Sequence, residues 1–421
     1  MLTDYATAAE AMALLKVRPQ TLYAYVSRGW IRSIAQKGLK EKIYSREDIA
    51  RVGQRSLARS GHGPVAASAM NWGEPIFATS ITEITEQGPR YRGQLAADLV
   101  RSGVAFERVA ELLWTGTLPA DTTNSAIWPV LRPPRELTSL TQIMATLDAG
   151  ENLLEAFAMV VLMLGMRRGP AAKRLQQGNT LAAAREILQT LVSCCGFIGP
   201  TQAFQPFRKG QSLVDGLMQS LAMQPTTANR EALRAVLILM ADHELPPGTL
   251  SARVVASTGG TLHSCLASAL CATSGVDVGC MYGRVEDFLG HPQGKSVLCR
   301  RVNRLHAAGQ RIPGFDHPLY PKGDPRATVL LDIARARSDD SRELRAIFGF
   351  LDDIHTSAAL LPRQELAVVV LCRALGLPRQ AAAALFALGR TAGWVAHVQE
   401  QRAGGTLLRP RAQFVERTVG G

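Results

Sequence analysis

Residues 389–397 read Gly389-Arg390-Thr391-Ala392-Gly393-Trp394-Val395-Ala396-His397. They sit inside an apolar pattern of helical period that runs from Gln380 to Val398, and that period predicts a helix. The same period recurs along the chain, over Phe106 to Trp114, Leu181 to Leu191, Arg230 to Met240, Thr261 to Ala272 and Gln364 to Leu375. Alternating strand patterns are scarce, and no internal repeat or low-complexity tract appears. The expected fold class is therefore mainly α. Composition agrees: aromatic residues make up only 6%, whereas β-rich folds favour aromatic and β-branched side chains. With 47% hydrophobic and 19% charged residues, the chain has apolar surface for a large core, which excludes a disordered or disulfide-scaffold protein. A length of 421 residues suggests two or three domains.

The net charge of +12 is unevenly spread. Residues 1–60 hold 11 Lys and Arg against 5 Asp and Glu, half of the whole excess in a seventh of the chain. Such local density points to a module facing nucleic acid. Seven cysteines without a CxxC pair do not make a disulfide framework. The longest apolar run, Leu153 to Met166, contains Glu155 and is too short for a bilayer. Met1 opens into polar and helical sequence without a signal peptide. A soluble, cytoplasmic protein with no membrane partner is the expectation. No phosphate-cradling GxxxxGK[ST] loop, GxSxG elbow or HExxH metal motif is present, so no metal site is expected.

The first sixty residues read as helix, turn, helix. Thr7 and Glu10 fit a capping box before a helix over Ala8 to Leu15. Pro19 is suited to the first position of a second helix, Gln20 to Arg28, which Gly29 ends. Strand-like ends of Trp30 to Tyr44 flank a basic turn, Gln36 to Lys40. The segment resembles the winged helix-turn-helix of MerR and excisionase proteins. That resemblance makes Gln20, Thr21, Tyr23 and Arg28 groove-facing, and Lys37, Lys40 and Lys42 phosphate-facing. DNA is then a further partner.

Further segments occur in a fixed order. They are Tyr91-Arg92-Gly93, the Phe106–Trp114 helix with Gly116 and Pro119, Asp242-His243-Glu244-Leu245, Ala252 to Gly259, Pro313-Gly314-Phe315-Asp316-His317, Asp324-Pro325-Arg326-Ala327, Arg373 to Pro378, and the opening stretch 389–397. Together they resemble the citrate synthase family over roughly residues 70–412, including the branch with an N-terminal winged helix-turn-helix. The resemblance implies a homodimer of nearly all-helical subunits, each with a large and a small domain. Its domains would be a winged module over 1–55, a linker over 56–70, a large domain over 71–274 and 373–421, and a small domain over 275–372.

By resemblance, Arg326 and Arg390 clamp the carboxylates of oxaloacetate or a similar 2-oxo acid, a task for which the planar guanidinium fork is suited. Arg409 would be the clamp lent by the partner subunit. His243 would hydrogen-bond the acid, and His317 would polarise its ketone. His62, His263, His291, His306, His355 and His397 keep a structural reading. Lys322 is the candidate for the CoA phosphates. Acyl-CoA is then a co-substrate, and no permanently bound cofactor is implied.

Two positions depart from the family. Its enolising base is Asp, eight residues before the Arg of the Arg-Ala-Leu-Gly motif, where this chain has Glu365. Its donor to the thioester oxygen is a His, where Val278 stands in Gly275-Val276-Asp277-Val278-Gly279-Cys280-Met281. Loss of one such donor typically costs ~10²–10³ in rate. The expected function is an acyl-CoA/2-oxo acid condensing transferase of reduced or altered activity. The alternative is a non-catalytic dicarboxylate-binding protein that acts on DNA through its N-terminal module.

Overall fold

The computed structural model describes residues 5–15, 17–27, 31, 33–35, 42–46, 48–49, 52, 77–120, 128–130, 153–167, 180–339, 341–358 and 360–410. Its chain divides into two compact units, Met1–Ala78 with Arg409–Gly421, and Thr79–Leu408.

In the first unit, strand β1 (Tyr5–Ala6) leads into helices α1 (Ala8–Leu15) and α2 (Pro19–Ser27), followed by strands β2 (Ser33–Ala35) and β3 (Lys42–Ser45). The expected cap is present: Thr7 N–H donates to Glu10 Oε2 at 2.9 Å, and Glu10 N–H to Thr7 Oγ1 at 3.3 Å. The strands form an antiparallel sheet in the order β1-β3-β2. Ala11, Leu15, Leu22, Ile31 and Tyr44 belong to a small core of this unit.

The second unit opens on an antiparallel sheet, β4 (Thr82–Thr85), β5 (Gly88–Tyr91) and β6 (Gln94–Leu95). The scarcity of alternating patterns gave no warning of this sheet. Its strands are two to four residues long, too short to show a period of two. Helices follow: α3 (Ala96–Arg101), α4 (Phe106–Thr115), α5 (Leu153–Arg167), α6 (Thr180–Cys194), α7 (Leu213–Ser220), α8 (Thr227–Leu239), α9 (Pro247–Ser257), α10 (Leu262–Thr273), α11 (Cys280–Leu289), α12 (Lys295–Ala307), α13 (Pro325–Arg335), α14 (Arg342–Ala358), α15 (Gln364–Ala374) and α16 (Ala381–Gly404). The helices anticipated from periodicity are present. Local chemistry sets their ends. Gly116, left-handed at φ 83°, closes α4. Ser212 and Asp215 make a capping box for α7. Among the described residues, no helix is long and apolar enough to cross a membrane.

Helix α16 is the axis of this unit. It is buried on nearly every face, from Ala381 to Gln401, and packs against α4, α5, α6, α8, α9, α10 and α15. A helix surrounded in this way must be apolar all round, so its few polar residues sit inside the core and need partners there.

Candidate functional site

Two glycines let α16 carry the site. A Cβ at Gly389 would lie 2.7 Å from the Leu237 carbonyl, and one at Gly393 would collide with the Ala241 carbonyl and the Asp242 carboxylate. Without side chains there, residues 237–242 lie directly on α16, and Gly393 N–H donates to Ala241 O at 3.0 Å. Tyr91, fully buried, pins the same segment by donating to Ile238 O at 2.9 Å. This close approach delivers His243 to the neighbourhood of Arg390.

Asp242 anchors the segment from below. His397 is fully buried. Its Nδ1 lies 3.0 Å from Arg253 Nη1, which can only donate, so Nδ1 accepts and the Nε2–H donates to Asp242 Oδ2 at 3.2 Å. Arg253 in turn pairs with Glu400 at 2.7 Å, and Glu400 accepts from Ser80 N–H at 2.8 Å. Burial works against the Glu400 carboxylate, yet these bonds bring it down to about 2.

The second wall is the loop before α13. Gly314 (φ 83°) and Asp316 (φ 55°) are both left-handed. Asp316 can hold that conformation because its backbone N–H donates to Leu361 O at 2.8 Å and its carboxylate accepts from Leu361 N–H at 3.1 Å. Arg363 N–H donates to Gly314 O at 2.8 Å. This zip fixes His317 beside the start of α15. Asp324 caps α13, with Pro325 at its first position. Its carboxylate accepts from Arg326 N–H (3.1 Å), Nε (2.9 Å) and Nη2 (2.8 Å), and from Gln364 N–H (3.1 Å).

His243, His317 and Tyr320 form one cluster. The imidazole centroids are 5.3 Å apart, and the Tyr320 hydroxyl lies 2.9 Å from His243 Nε2. Arg326 stands over the Tyr320 ring at 5.6 Å. Burial, then the charges of Arg326 and Arg390, push the His243 imidazole well below its ordinary range. Burial and Arg326 take His317 down to about 4. Both imidazoles are therefore neutral near pH 7. His317 Nδ1 accepts from Leu319 N–H at 3.1 Å, which leaves its proton on Nε2, free to donate to a carbonyl oxygen. A neutral imidazole in this form polarises a ketone.

Arg390 is buried, and its Nε donates to Met240 O at 2.9 Å. Among the described residues no carboxylate lies within ion-pair distance of it. Burial holds its guanidinium below the usual range, although Asp242 opposes this. A buried cation without a paired anion is costly, so this arrangement favours an incoming carboxylate.

The other sequence candidates are placed less centrally. Glu365, at the start of α15, is mostly buried and ion-paired to Arg363, Oε1 to Nη2 at 2.8 Å and Oε2 to Nε at 3.1 Å. Val278 is half-buried in the turn before α11. Two substitutes for the missing donor are not offered there. Asp277 is exposed and lies 3.6 Å from Arg284, and the exposed Cys280 thiol donates to Ser274 O at 3.5 Å. Lys322 is exposed and pairs with Glu86 at 3.0 Å. Arg409 is exposed. On α2, Gln20 and Tyr23 are exposed and Thr21 is half-buried; Lys42 is exposed on β3. Arg28, Lys37, Lys40, His62 and the linker over 56–70 lie outside the described residues.

Sequence reasoning missed Tyr320, Arg363 and the Asp242–His397–Arg253 chain. The place of Tyr320 between His317 and Arg326 was a usable signal. His397 had none, because its partners Arg253 and Asp242 are set by packing of distant segments, and the spacing of Arg363 to Glu365 was not used as a signal.

A helical protein that gathers two neutral imidazoles and two buried guanidiniums at the foot of a core helix has the build of a carboxylate-handling enzyme. The model of the family described as citrate synthase, C-terminal domain, matches residues 70–411, and the chain belongs to the citrate synthase family. A putative citrate synthase 2 of Mycobacterium tuberculosis is 27% identical over 350 residues, covering 82% of this chain and 91% of that protein. The 2-methylcitrate synthase of Shewanella oneidensis is 24% identical over 372 residues, covering 80% and 91%. The solved structure of a Thermoplasma acidophilum citrate synthase, in a ternary complex with carboxymethyl coenzyme A and oxaloacetate, superposes with a TM-score of 0.69 at 21% identity, covering 82% of this chain and 95% of that one. A Thermotoga maritima citrate synthase gives 0.66 at 23% identity, covering 84% and 97%. These likenesses show the fold.

Proposed function

We propose that the chain is a condensing transferase that joins an acyl-CoA, acetyl-CoA or a relative, to oxaloacetate or a similar 2-oxo acid. The observation that carries this is Arg390, a buried guanidinium with no carboxylate partner among the described residues, whose charge reaches the neutral His243 of the His243–His317 cluster. Arg390 and Arg326 would hold the acid. The His317 Nε2–H would donate to the ketone oxygen as the new carbon–carbon bond forms, and His243 would hold the acid in place. Glu365 would take the proton from the carbon next to the thioester. In a homodimer Arg409 of the partner subunit would complete the clamp, and Lys322 would meet the CoA phosphates. With Val278 unable to donate to the thioester oxygen, enolisation would be the slow step and turnover low. CoA release from acetyl-CoA with oxaloacetate tests this. Slow, oxaloacetate-dependent release is expected, and no release beyond the thioester's own hydrolysis would sink it.

A second reading keeps the acid pocket but assigns the first unit to DNA, as a winged helix-turn-helix. Its support is the exposure of Gln20 and Tyr23 on α2 and of Lys42 on β3. Retention of duplex DNA by the full chain should then fall steeply with salt, since counterion release drives phosphate contacts. No retention at low salt would leave the first unit without this role.

A further inference from the structure

The start of α15 holds a third guanidinium at the acid pocket, Arg363, which the chain's own carboxylate occupies. Both oxygens of Glu365 are taken by the Arg363 fork, at 2.8 and 3.1 Å. Between the two residues, Gln364 N–H donates to Asp324, the carboxylate that orients Arg326. The Arg363 backbone bonds Gly314, three residues before His317. Its charge acts on both His243 and His317, while that of Glu365 acts on Arg326. The pair therefore borders the pocket. It is also not sealed: the Arg363 side chain is 25% exposed and that of Glu365 10%.

Two consequences follow from the geometry. A carboxylate with both oxygens held by one guanidinium has one lone-pair site on each oxygen engaged and its plane fixed toward that guanidinium, so in this state Glu365 is oriented toward Arg363 and not toward a substrate carbon. A guanidinium fork also accepts any carboxylate of the same shape. A carboxylate on the ligand can replace that of Glu365 at nearly equal interaction energy, because the same two hydrogen bonds are remade. The local charges point the same way. Arg326 and Arg363 are ion-paired to Asp324 and Glu365, so among these three guanidiniums Arg390 alone lacks a carboxylate partner among the described residues, and an exchange on Arg363 supplies the second position a dianion needs.

We propose that Arg363 is a ligand-binding residue of the acid pocket, exchanged from Glu365 to a carboxylate of the bound dicarboxylate, so that Glu365 is released for chemistry only when the acid is in place. The inference rests on the reading that the pocket binds a 2-oxo dicarboxylate. It makes Glu365 an internal competitor and the Arg363–Glu365 pair a device that orders binding ahead of proton transfer.

The test is calorimetric titration of the full chain with oxaloacetate. An internal competitor lowers apparent affinity by the fraction of binding-competent protein, so Glu365→Gln should bind oxaloacetate ~10-fold more tightly than the unmodified chain. Arg363→Gln should bind ~10- to 100-fold more weakly, the loss of a charge-assisted bond, and Arg363→Lys should fall between. The double variant Arg363→Gln with Glu365→Gln should match Arg363→Gln alone. A purely structural pair would not give opposite signs for its two members. If all variants bind as the unmodified chain does while Arg326→Ala abolishes binding, the pocket reading stands and the exchange is wrong. If neither the unmodified chain nor Glu365→Gln binds oxaloacetate, the inference falls together with that reading. Circular dichroism of each variant confirms that the helical fold is retained.

Discussion

The two halves of the candidate site are built differently. On the side proposed to hold the acid, His243, His317, Arg326 and Arg390 stand on backbone pinned from several directions: Gly393 on Ala241, Tyr91 on Ile238, Gly314 and Asp316 on residues 361–363. On the side proposed to meet the thioester, Val278 sits in a turn whose neighbours Val276 and Asp277 are exposed, and Glu365 is tied to Arg363. A side chain that shares partners with the core cannot change without loss of stability. A half-buried side chain in a turn with exposed neighbours can change at less cost. Of the two departures from the family pattern, Val278 falls in a turn with exposed neighbours, where substitution costs folding least, whereas Glu365 is buried and ion-paired.

The largest effect should come from breaking the strong side. Arg326→Ala leaves the Asp324 carboxylate buried with its main partner gone, and breaking a buried ion pair in this way costs about 3–5 kcal/mol. Urea unfolding should show this loss, and oxaloacetate should no longer raise the melting temperature of the variant. A fall under about 1 kcal/mol, the range of an exposed pair, would mean that the pocket is more open than its burial implies.

Repair of the weak side should come next. Val278→His should raise enolisation by up to ~10²–10³, the effect of one well-placed donor, and Glu365→Asp should add to it by restoring the reach of the base. Exchange of acetyl-CoA methyl protons with deuterated solvent, with an oxo-acid analogue bound, reports that step alone. Fast citrate synthesis by the unmodified protein would overturn the contrast between the halves.

The strong side was also the legible one. The helix over 380–398 and the ordered segments around it gave the fold, because a long periodic run leaves little freedom, and α16 extends that run only to Gly404. Arg390 and His317 were readable because short local patterns surround them. What stayed hidden depends on distant partners. Asp242 with His397 is a contact over 155 residues, and the Tyr320 bond to His243 spans 77. Arg363 drew no reading from the sequence, and its pairing with Glu365 is seen only in the structure.

Acid titration asks how tightly the strong side is enclosed. His317 is held down to about 4 and His243 well below its ordinary range, so the unfolded chain takes up protons from about pH 6.5 downward that the folded chain refuses. Stability should therefore fall as pH drops from about 6.5 to 4, by no more than about 3 kcal/mol for His317, and be unaffected by these groups above that window. The carboxylate of Glu400, held down to about 2, adds its loss from about pH 4.5 downward, overlapping the lower end of the histidine range. His317→Gln should flatten the upper part of the curve. A stability profile that is level from pH 7 to 5 would contradict the burial of both rings.

The smallest effect separates a partner from a scaffold within the acid side. Tyr320 is buried, its hydroxyl 2.9 Å from His243 Nε2. Its ring packs at 5.0 Å from that of His317 and beneath Arg326. Tyr320→Phe keeps the ring, so the packing and the cation–π contact survive while one hydrogen bond is lost. The net value of such a bond is about 0.5–1.5 kcal/mol, which is roughly 2- to 12-fold in affinity. Oxaloacetate binding should weaken by that factor if the hydroxyl fixes the orientation of His243 toward the acid, and the melting temperature of the unliganded protein should move little. A large drop in unliganded stability with unchanged affinity would make Tyr320 a core residue that happens to border the pocket. Unchanged stability and unchanged affinity would mean that His243 is held by Asp242 and the 237–242 segment alone, and the strong side of the site would then owe its order to α16 rather than to the imidazole–tyrosine cluster.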